Sequence, residues 1–280
     1  MKPNSFIAAL LLVCASVSVF AQQYTVGSFN IRNDNAGDVG NRWSQRSAVA
    51  ANLIEFHQFD VVGLQEALKN QVDDLSNALP EYAHYGAGRD DGKDGGEHSS
   101  IFYRKDKFKL LNKGDFWLSE TPDKPGKGWD ATCCNRICSW VQLQDIKTGK
   151  RFFFFNVHYD HEGKVARMES SKLILKKISD IAKGQPAIFT GDLNGSHKSE
   201  WYLRLANSGM LTDTYAQVKK PYLNNASFNG WGRSMSGYDV IDHIFVTRHF
   251  QAQRWGVLTD TYYGKFVSDH FPVLADVRLK

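Results

Sequence analysis

Seven polar residues stand where an apolar run ends or is about to begin: Asn30, Glu66, His158, Asp192, Asn194, Asp269 and His270. Asn30 follows Tyr24–Phe29, Glu66 follows Val61–Gln65, and His158 closes a run built on Phe152-Phe153-Phe154-Phe155. Asp192 and Asn194 follow Ala187–Gly191, and Asp269-His270 precede the apolar residues that start at Val273. Carboxylate and amide oxygens are hard ligands that suit a hard divalent cation. An Asp and an Asn two positions apart across a tight turn can aim at one point. An imidazole with a carboxylate behind it is fixed in one tautomer and biased toward its charged form. Together these groups suit metal-assisted hydrolysis. A lone Asp or Asn after a strand is usually a turn former, so the weight lies in the set.

Strand ends and the loops beyond them are where sheet scaffolds hold reactive groups, and the surrounding sequence supplies such a scaffold. Strands are predicted at Tyr24–Ile31, Val61–Gln65, Ser100–Tyr103, Arg136–Leu143, Arg151–Val157, Ala187–Thr190, Val240–Val246 and Val273–Val277. The four phenylalanines suit a strand buried on both faces. Helices are predicted at Arg46–His57 and Val165–Ile181, the second closed by Gly184 and Pro186. Gly86–Gly96 and Thr121–Gly128 read as loops. Strands and helices mixed over one domain argue for α/β layers with helices outside and sheets inside.

The first residues are a targeting segment. Lys2 precedes an apolar run from Phe6 to Val13, and Val19-Phe20-Ala21 offers a small residue before polar Gln22-Gln23. The run is shorter than the ~20 residues a membrane span needs, and Val13 before Cys14 is bulky for lipid attachment. Residues 1–21 are therefore expected to be a signal peptide, and residues 22–280 a single exported domain, periplasmic or extracellular, monomeric and without stable membrane insertion. A net charge of +4 is too small to argue for nucleic acid on its own. Cys133, Cys134 and Cys138 remain after cleavage; a local disulfide from Cys138 to either of the other two, leaving one free thiol, and fully reduced thiols are both open, with a zinc site as the weaker alternative.

Ser28-Phe29-Asn30-Ile31-Arg32, Gln65-Glu66, Asn156-Val157-His158, Gly191-Asp192-Leu193-Asn194, Ile241-Asp242-His243 and Ser268-Asp269-His270-Phe271-Pro272-Val273 occur in this order along the chain. This ordered set resembles the endonuclease/exonuclease/phosphatase superfamily, a secreted bacterial subgroup near the carbon-catabolite-repressor deadenylase branch, over essentially the whole mature chain. The resemblance implies a four-layer αββα sandwich of two packed mixed sheets flanked by helices, with the site at one end of both sheets. It also implies phosphoester hydrolysis, which needs charge neutralisation at phosphoryl oxygens, an activated water and help for the leaving oxygen. Glu66 is then the leading Mg2+ ligand (Mn2+ being the alternative ion), with Asn30 and Asp269 completing the shell or holding its waters. Asp192 and Asn194 address the water and the phosphate. His270, oriented by Asp242, is the imidazole that meets the phosphate.

The deoxyribonuclease branch implies a second histidine, His158, partnered by Glu97, because Glu97 and Arg104 keep that branch's seven-residue spacing. Arg32 and Arg104 are assigned to substrate phosphate. An Arg two positions after Asn30 counts against abasic-site repair, whose enzymes carry an acidic ligand there. His243, one position beyond Asp242 on a strand, should face the other way.

Three loops interleave Trp with cations: Arg42–Arg46, Lys124–Asp130 and Asn229–Arg233. Trp stacked on bases with Arg and Lys on phosphates is how single strands are held; Trp packing loops onto the sandwich is the alternative. The leading expectation is a phosphodiesterase or nuclease, with an exonuclease included, acting on nucleic acid or a nucleotide. A phosphomonoesterase or a phospholipid- or sugar-phosphate phosphodiesterase is the alternative. An inactive binding homologue is disfavoured, because Glu66, Asp192, Asp242, Asp269 and His270 are all present.

Overall fold

Alternation along the phenylalanine run sets the layering, because successive strand side chains point to opposite faces. Phe152 and Phe154 enter one apolar cluster and Phe153 and Phe155 another. The computed structural model describes residues 22 to 280 except positions 236 and 238; the expected signal segment lies outside the described residues.

In chain order the elements are β1 (Gln23–Asn30), α1 (Trp43–Phe56), β2 (Val61–Gln65), α2 (Lys69–Ala78), β3 (Tyr82–Tyr85), β4 (Ile101–Arg104) and β5 (Phe108–Trp117). They continue with β6 (Ile137–Asp145), β7 (Arg151–His158), α3 (Lys164–Ala182), β8 (Ala187–Asp192), α4 (Glu200–Ala206) and β9 (Leu211–Asp213). The last are α5 (Thr214–Gln217), β10 (Asp242–Thr247), β11 (Phe250–Val257), β12 (Thr261–Tyr262), β13 (Lys265–Phe266) and β14 (Val273–Leu279).

Two six-stranded sheets have the orders β11-β14-β1-β2-β4-β3 and β5-β6-β7-β8-β10-β9. The core between them holds Tyr24, Val26, Phe152, Phe154, Ile188 and Val277. A second cluster joins Phe29, Leu64 and Phe102 to Ala50 and Ile54 of α1 and Val72 and Leu75 of α2. The third joins Phe153, Phe155 and Phe189 to Ile174 and Ile178 of α3 and Trp201 and Leu205 of α4. The layers are therefore helix, sheet, sheet, helix, the αββα sandwich expected from the resemblance. Among the described residues no helix is long and apolar enough to cross a membrane.

Strand direction brings the strand ends together. β1 and β2 are parallel, with Asn30 opposite Gln65, and β7 and β8 are parallel, with His158 opposite Asp192. β10 runs antiparallel to β8, so Asp242 at its start also lies opposite Asp192. β14 runs antiparallel to β1, so the residues preceding Val273 lie at this same end. Just beneath, a buried polar bridge ties the sheets: Gln65 Nε2 donates to Asn156 Oδ1 (2.7 Å), and Asn156 Nδ2 donates to the carbonyls of Leu64 (2.8 Å) and Ser100 (3.0 Å). Gly63 allows this approach, since a Cβ there would lie 2.4 Å from both Asn156 Oδ1 and Thr190 Oγ1. One sequence expectation is corrected here. Cys133 and Cys134 are joined to each other, and Cys138 is free and buried on β6. Cys138 lies inside the third core cluster, away from the loop that carries the other two.

Candidate active site

Asp192 is the hub of the cleft at this end. Its Oδ1 accepts from the Asn194 backbone N–H (2.8 Å). Its Oδ2 accepts from Asn30 Nδ2 (3.0 Å) and lies 3.6 Å from His158 Nε2 and 3.7 Å from His270 Nε2. Asn30 Nδ2 also donates to Glu66 Oε1 (3.0 Å), which links the water-directing group to the expected metal side. Asp269 and Glu66 are bridged by Arg32, whose guanidinium lies 3.8 Å from the first and 3.6 Å from the second. The cleft encloses about 500 Å3 and is lined by Arg32, Glu66, His158, Asp192, Asn194 and His270 among others.

Backbone geometry was the part hidden from sequence reading. Arg32, Glu66 and Asn194 all have left-handed φ, at 56°, 63° and 46°. That conformation costs a non-glycine residue about 1 kcal/mol and persists only where surroundings enforce it. Arg46 enforces it after β1: fully buried on α1, it donates to the carbonyls of Ile31 and of Arg32, the latter at 2.6 Å. Ser268 does the same from the other side, its hydroxyl donating to the Asn30 carbonyl (2.7 Å).

The two histidines differ in charge. His270 Nδ1 donates to Asp242 Oδ2 at 2.9 Å. Burial opposes a charge on His270, but Asp242, Asp192 and Asp269 outweigh it and raise the imidazole to about 10. His158 is held well below its ordinary value by burial and by Arg136 and Arg89, so it is neutral. Its Nε2 accepts from Asn194 Nδ2 (3.2 Å), which places its proton on Nδ1. Glu97 lies 3.8 Å from that nitrogen, beyond a hydrogen bond, and Nδ1 has no partner. Arg89 (2.5 Å) and Asn33 (3.1 Å) hold Glu97 instead. Burial foremost, with a contribution from Asp242, raises Asp192 to about 7.

Arg104 is the one predicted site residue that the fold takes elsewhere. β4 runs antiparallel to β2, so Arg104 lies at the far end, pairing with Asp106 (2.9 Å) and stacking on Tyr82. The cleft's other cations are residues that sequence reading missed: Arg89 in the loop before β4, and Arg136 just ahead of β6. Arg136 lies 3.4 Å from Asp160 and 2.8 Å from His161 Nδ1. Its position was a legible signal, because β6 is antiparallel to β7 and so begins at the rim where His158 ends. His243 faces away as expected, bonded to Asp213 (3.2 Å) and to the Gly195 carbonyl (2.9 Å) beneath the helices.

Glu66, Asp269 and Asn30 form an oxygen-rich donor set suited to a hard divalent ion. Burial raises Asp269 and Glu97, and nearby Glu66 adds to both shifts. Carboxylates that repel one another in this way are what a bound cation relieves, so the residues present fit a divalent metal.

Residues 27–270 match the Endonuclease/Exonuclease/phosphatase family. The chain belongs to that family. Its members are phosphoester hydrolases and are generally divalent-metal dependent, so this chain too is a phosphoester hydrolase. A solved family protein from Bacteroides thetaiotaomicron is 45% identical, covering 92% of this chain and 96% of its own, with a TM-score of 0.90. A mannosyl-6-phosphatase of the same organism is 46% identical, covering 91% and 99%, with a TM-score of 0.88. The human Nocturnin catalytic domain, 19% identical over 92% and 94% at a TM-score of 0.71, shares the fold.

Proposed function

We propose that this family member is an exported, Mg2+-dependent phosphomonoesterase that releases phosphate from the 6-position of a hexose. The observation that carries the reading is the charge balance of the cleft. Each arginine lining it faces a carboxylate: Arg32 with Asp38 (2.8 Å), Arg89 with Glu97 (2.5 Å) and Arg136 with Asp160 (3.4 Å). A nucleic-acid track presents unpaired cations to successive phosphates, whereas here each arginine is held by a carboxylate and the donors left for a phosphate are few, among them the His270 Nε2–H and the one Arg136 guanidinium nitrogen without a partner. One terminal phosphate and a neutral polyhydroxylated leaving group fit that arrangement. The 46% identity to a mannosyl-6-phosphatase supports it. Among the tryptophans of the three loops, Trp43 packs in the core with its indole N–H on Asp74 (2.8 Å), and only Trp231 adjoins the cleft.

In this reading cationic His270 meets a phosphoryl oxygen, Arg32 fixes the phosphate's orientation, and Asn194 holds Asp192 and His158 in place. Asp192 takes a proton from the attacking water, a role that suits a carboxylate raised toward neutrality, while the phosphorus–oxygen bond to the hexose breaks and the departing sugar oxygen takes up a proton from solvent. Glu66, Asp269 and Asn30 would hold a divalent cation, which when bound would supply charge neutralisation for the phosphoryl group. The test is an assay panel with purified mature protein and Mg2+, with and without chelator. It compares mannose 6-phosphate, p-nitrophenyl phosphate, bis-p-nitrophenyl phosphate, single-stranded RNA and duplex DNA. The monoesters should be hydrolysed at least about 10²-fold more efficiently than the diesters, a difference of ~2.7 kcal/mol in barrier. Faster cleavage of the diester or of nucleic acid would establish the nuclease reading instead, and chelator-resistant activity would remove the metal from the scheme.

A further inference from the structure

A second groove of about 370 Å3 opens beside the cleft, lined by Asp38, Gly230, Trp231, Arg233 and Ser234. It shares Arg32, Phe228 and Asp269 with the cleft, so the two form one continuous depression. Both volumes fall within the ~300–1,000 Å3 typical of small-molecule sites. Phe228 stands at the junction, 39% exposed, its ring 5.1 Å from that of His270.

The loop that builds this groove is fastened to the catalytic segment itself. The N–H groups of Asn229 (2.8 Å) and Gly230 (3.0 Å) both donate to the Asp269 carbonyl, and Asn229 Nδ2 donates to the Ser268 carbonyl (3.1 Å). Three consecutive residues are left-handed: Gly230 at φ 55°, Trp231 at 61° and Gly232 at 83°. Glycine adopts this conformation freely, but tryptophan does not. The loop nonetheless holds Trp231 there through its N–H to Asn229 Oδ1 (2.9 Å), with Arg46 over the indole at 5.4 Å. A bulky residue kept in a strained conformation beside a reaction site is a specific investment of the fold.

We propose that this groove is a glycan subsite, which takes the sugar ring linked to the phosphorylated hexose. The inference rests on the sugar-phosphatase reading and extends it from a free monosaccharide to a phosphorylated oligosaccharide. The groove's chemistry selects the occupant. Exposed Phe228 and half-buried Trp231 offer apolar contact to a pyranose ring. Asp38, Ser234 and Arg233 supply acceptors and donors for hydroxyls. The charges of the lining balance, Arg32 and Arg233 against Asp38 and Asp269, with Arg32 already paired to Asp38, so the groove offers no excess of cations to a second phosphate. A neutral ring is therefore favoured over a polyanion.

Steady-state kinetics on mannose 6-phosphate and on mannobiose carrying phosphate at one 6-position test this, with p-nitrophenyl phosphate as the control. The wild type should show a KM about tenfold lower for the disaccharide. Trp231→Ala, and separately exposed Arg233→Ala, should erase that preference by raising KM for the disaccharide alone. Values of kcat and all constants for the monosaccharide should stay unchanged, a split that a general loss of structure would not produce. Equal efficiency for both sugars in the wild type, or equal loss on both in the variants, overturns the subsite while leaving the phosphatase reading intact. Turnover of p-nitrophenyl phosphate without turnover of either sugar overturns the sugar-phosphatase reading itself, and the subsite with it.

Discussion

His270 and His158 flank the same carboxylate oxygen of Asp192 at nearly equal distances, 3.7 and 3.6 Å, yet one is cationic and the other neutral. Both are buried. Burial lowers both, so it cannot be the cause of the difference. The cause is what stands behind each ring: Asp242 at hydrogen-bonding distance for His270, and the cations Arg136 and Arg89 around His158. Neighbouring charge therefore outweighs desolvation by enough to hold one imidazole protonated and the other neutral at pH 7. An enzyme that must bind a phosphoryl dianion and accept a proton from water needs a cation and a base within a few ångströms. Cationic His270 supplies the first and Asp192 the second, while neutral His158 adds no further positive charge beside Asp192 and accepts the Asn194 amide.

If that comparison is correct, the cationic histidine carries far more of the rate. His270→Ala should lower kcat/KM for a phosphomonoester by about 10³-fold, within the ~10²–10⁴ range of positioned acid–base groups. Asp242→Asn should cost about 10²-fold at pH 8 and, more tellingly, should move the pH profile. His270 is raised above its ordinary 6.5 to about 10, so in the wild type its charged form persists through neutrality and the alkaline limb lies near 10. Without the Asp242 charge and hydrogen bond, burial is opposed only by Asp192 and Asp269, and the limb should move to lower pH. An unshifted limb in Asp242→Asn would break the proposed pairing. The same shift carries a stability signature. A raised folded-state value contributes stability that is fully present below 6.5 and is lost as pH rises through about 10. Urea unfolding between pH 6.5 and about 10 should therefore show a shallower pH dependence in His270→Gln than in the wild type.

His158→Ala should cost only about tenfold. His158 acts by accepting the Asn194 amide, which also donates to the Tyr159 carbonyl (3.0 Å) and so keeps one anchor. Because neutral His158 is held well below 6.5, its loss should leave the profile's shape unchanged above about pH 6. A loss equal to that of His270, with a shifted limb, would show that Glu97 and His158 form a second charged pair after all.

Central strands were legible and edge strands were not. β2, β8 and β10 are buried at every position, and their apolar runs mark them to within a few residues. The edges of both large sheets, β11 and β3 in one and β5 and β9 in the other, escaped prediction. β5 explains why: the stretch from Lys109 to Asp115 is exposed or half-buried, because an edge strand meets a neighbour on one side only and needs no apolar period. The short helices α2 and α4 escaped because only three residues of each are buried. Among site residues, those at the ends of central strands were visible as polar punctuation after apolar runs. Arg89 was not, since it sits in a glycine-rich loop whose path depends on contacts such as its own pairing with Glu97. The vicinal Cys133–Cys134 bond was also out of reach, because Cys138 is drawn into the core by burial of its strand.

Arg104 and Arg136 give the sharpest version of this lesson and the smallest expected effect. Glu97 and Arg104 were joined by a seven-residue spacing, but seven extended residues at ~3.3 Å each cover about 23 Å, the length of a strand rather than the width of a site. Glu97 stands at the cleft, so Arg104 had to end up at the opposite edge, where it pairs with Asp106. Arg136 reaches the cleft because β6 starts where β7 finishes. One of its guanidinium nitrogens is buried without a partner, and the residue lines the cleft at 5% exposure. Arg136→Ala should therefore raise KM about tenfold, the scale of one lost charge-assisted contact. Arg104→Ala should leave both kcat and KM within about twofold, as expected for an exposed ion pair remote from the chemistry. Measuring the two variants side by side asks whether strand direction or sequence spacing decides which cation serves the phosphate. A large loss in Arg104→Ala with none in Arg136→Ala would mean that the cleft described here is not where the substrate binds.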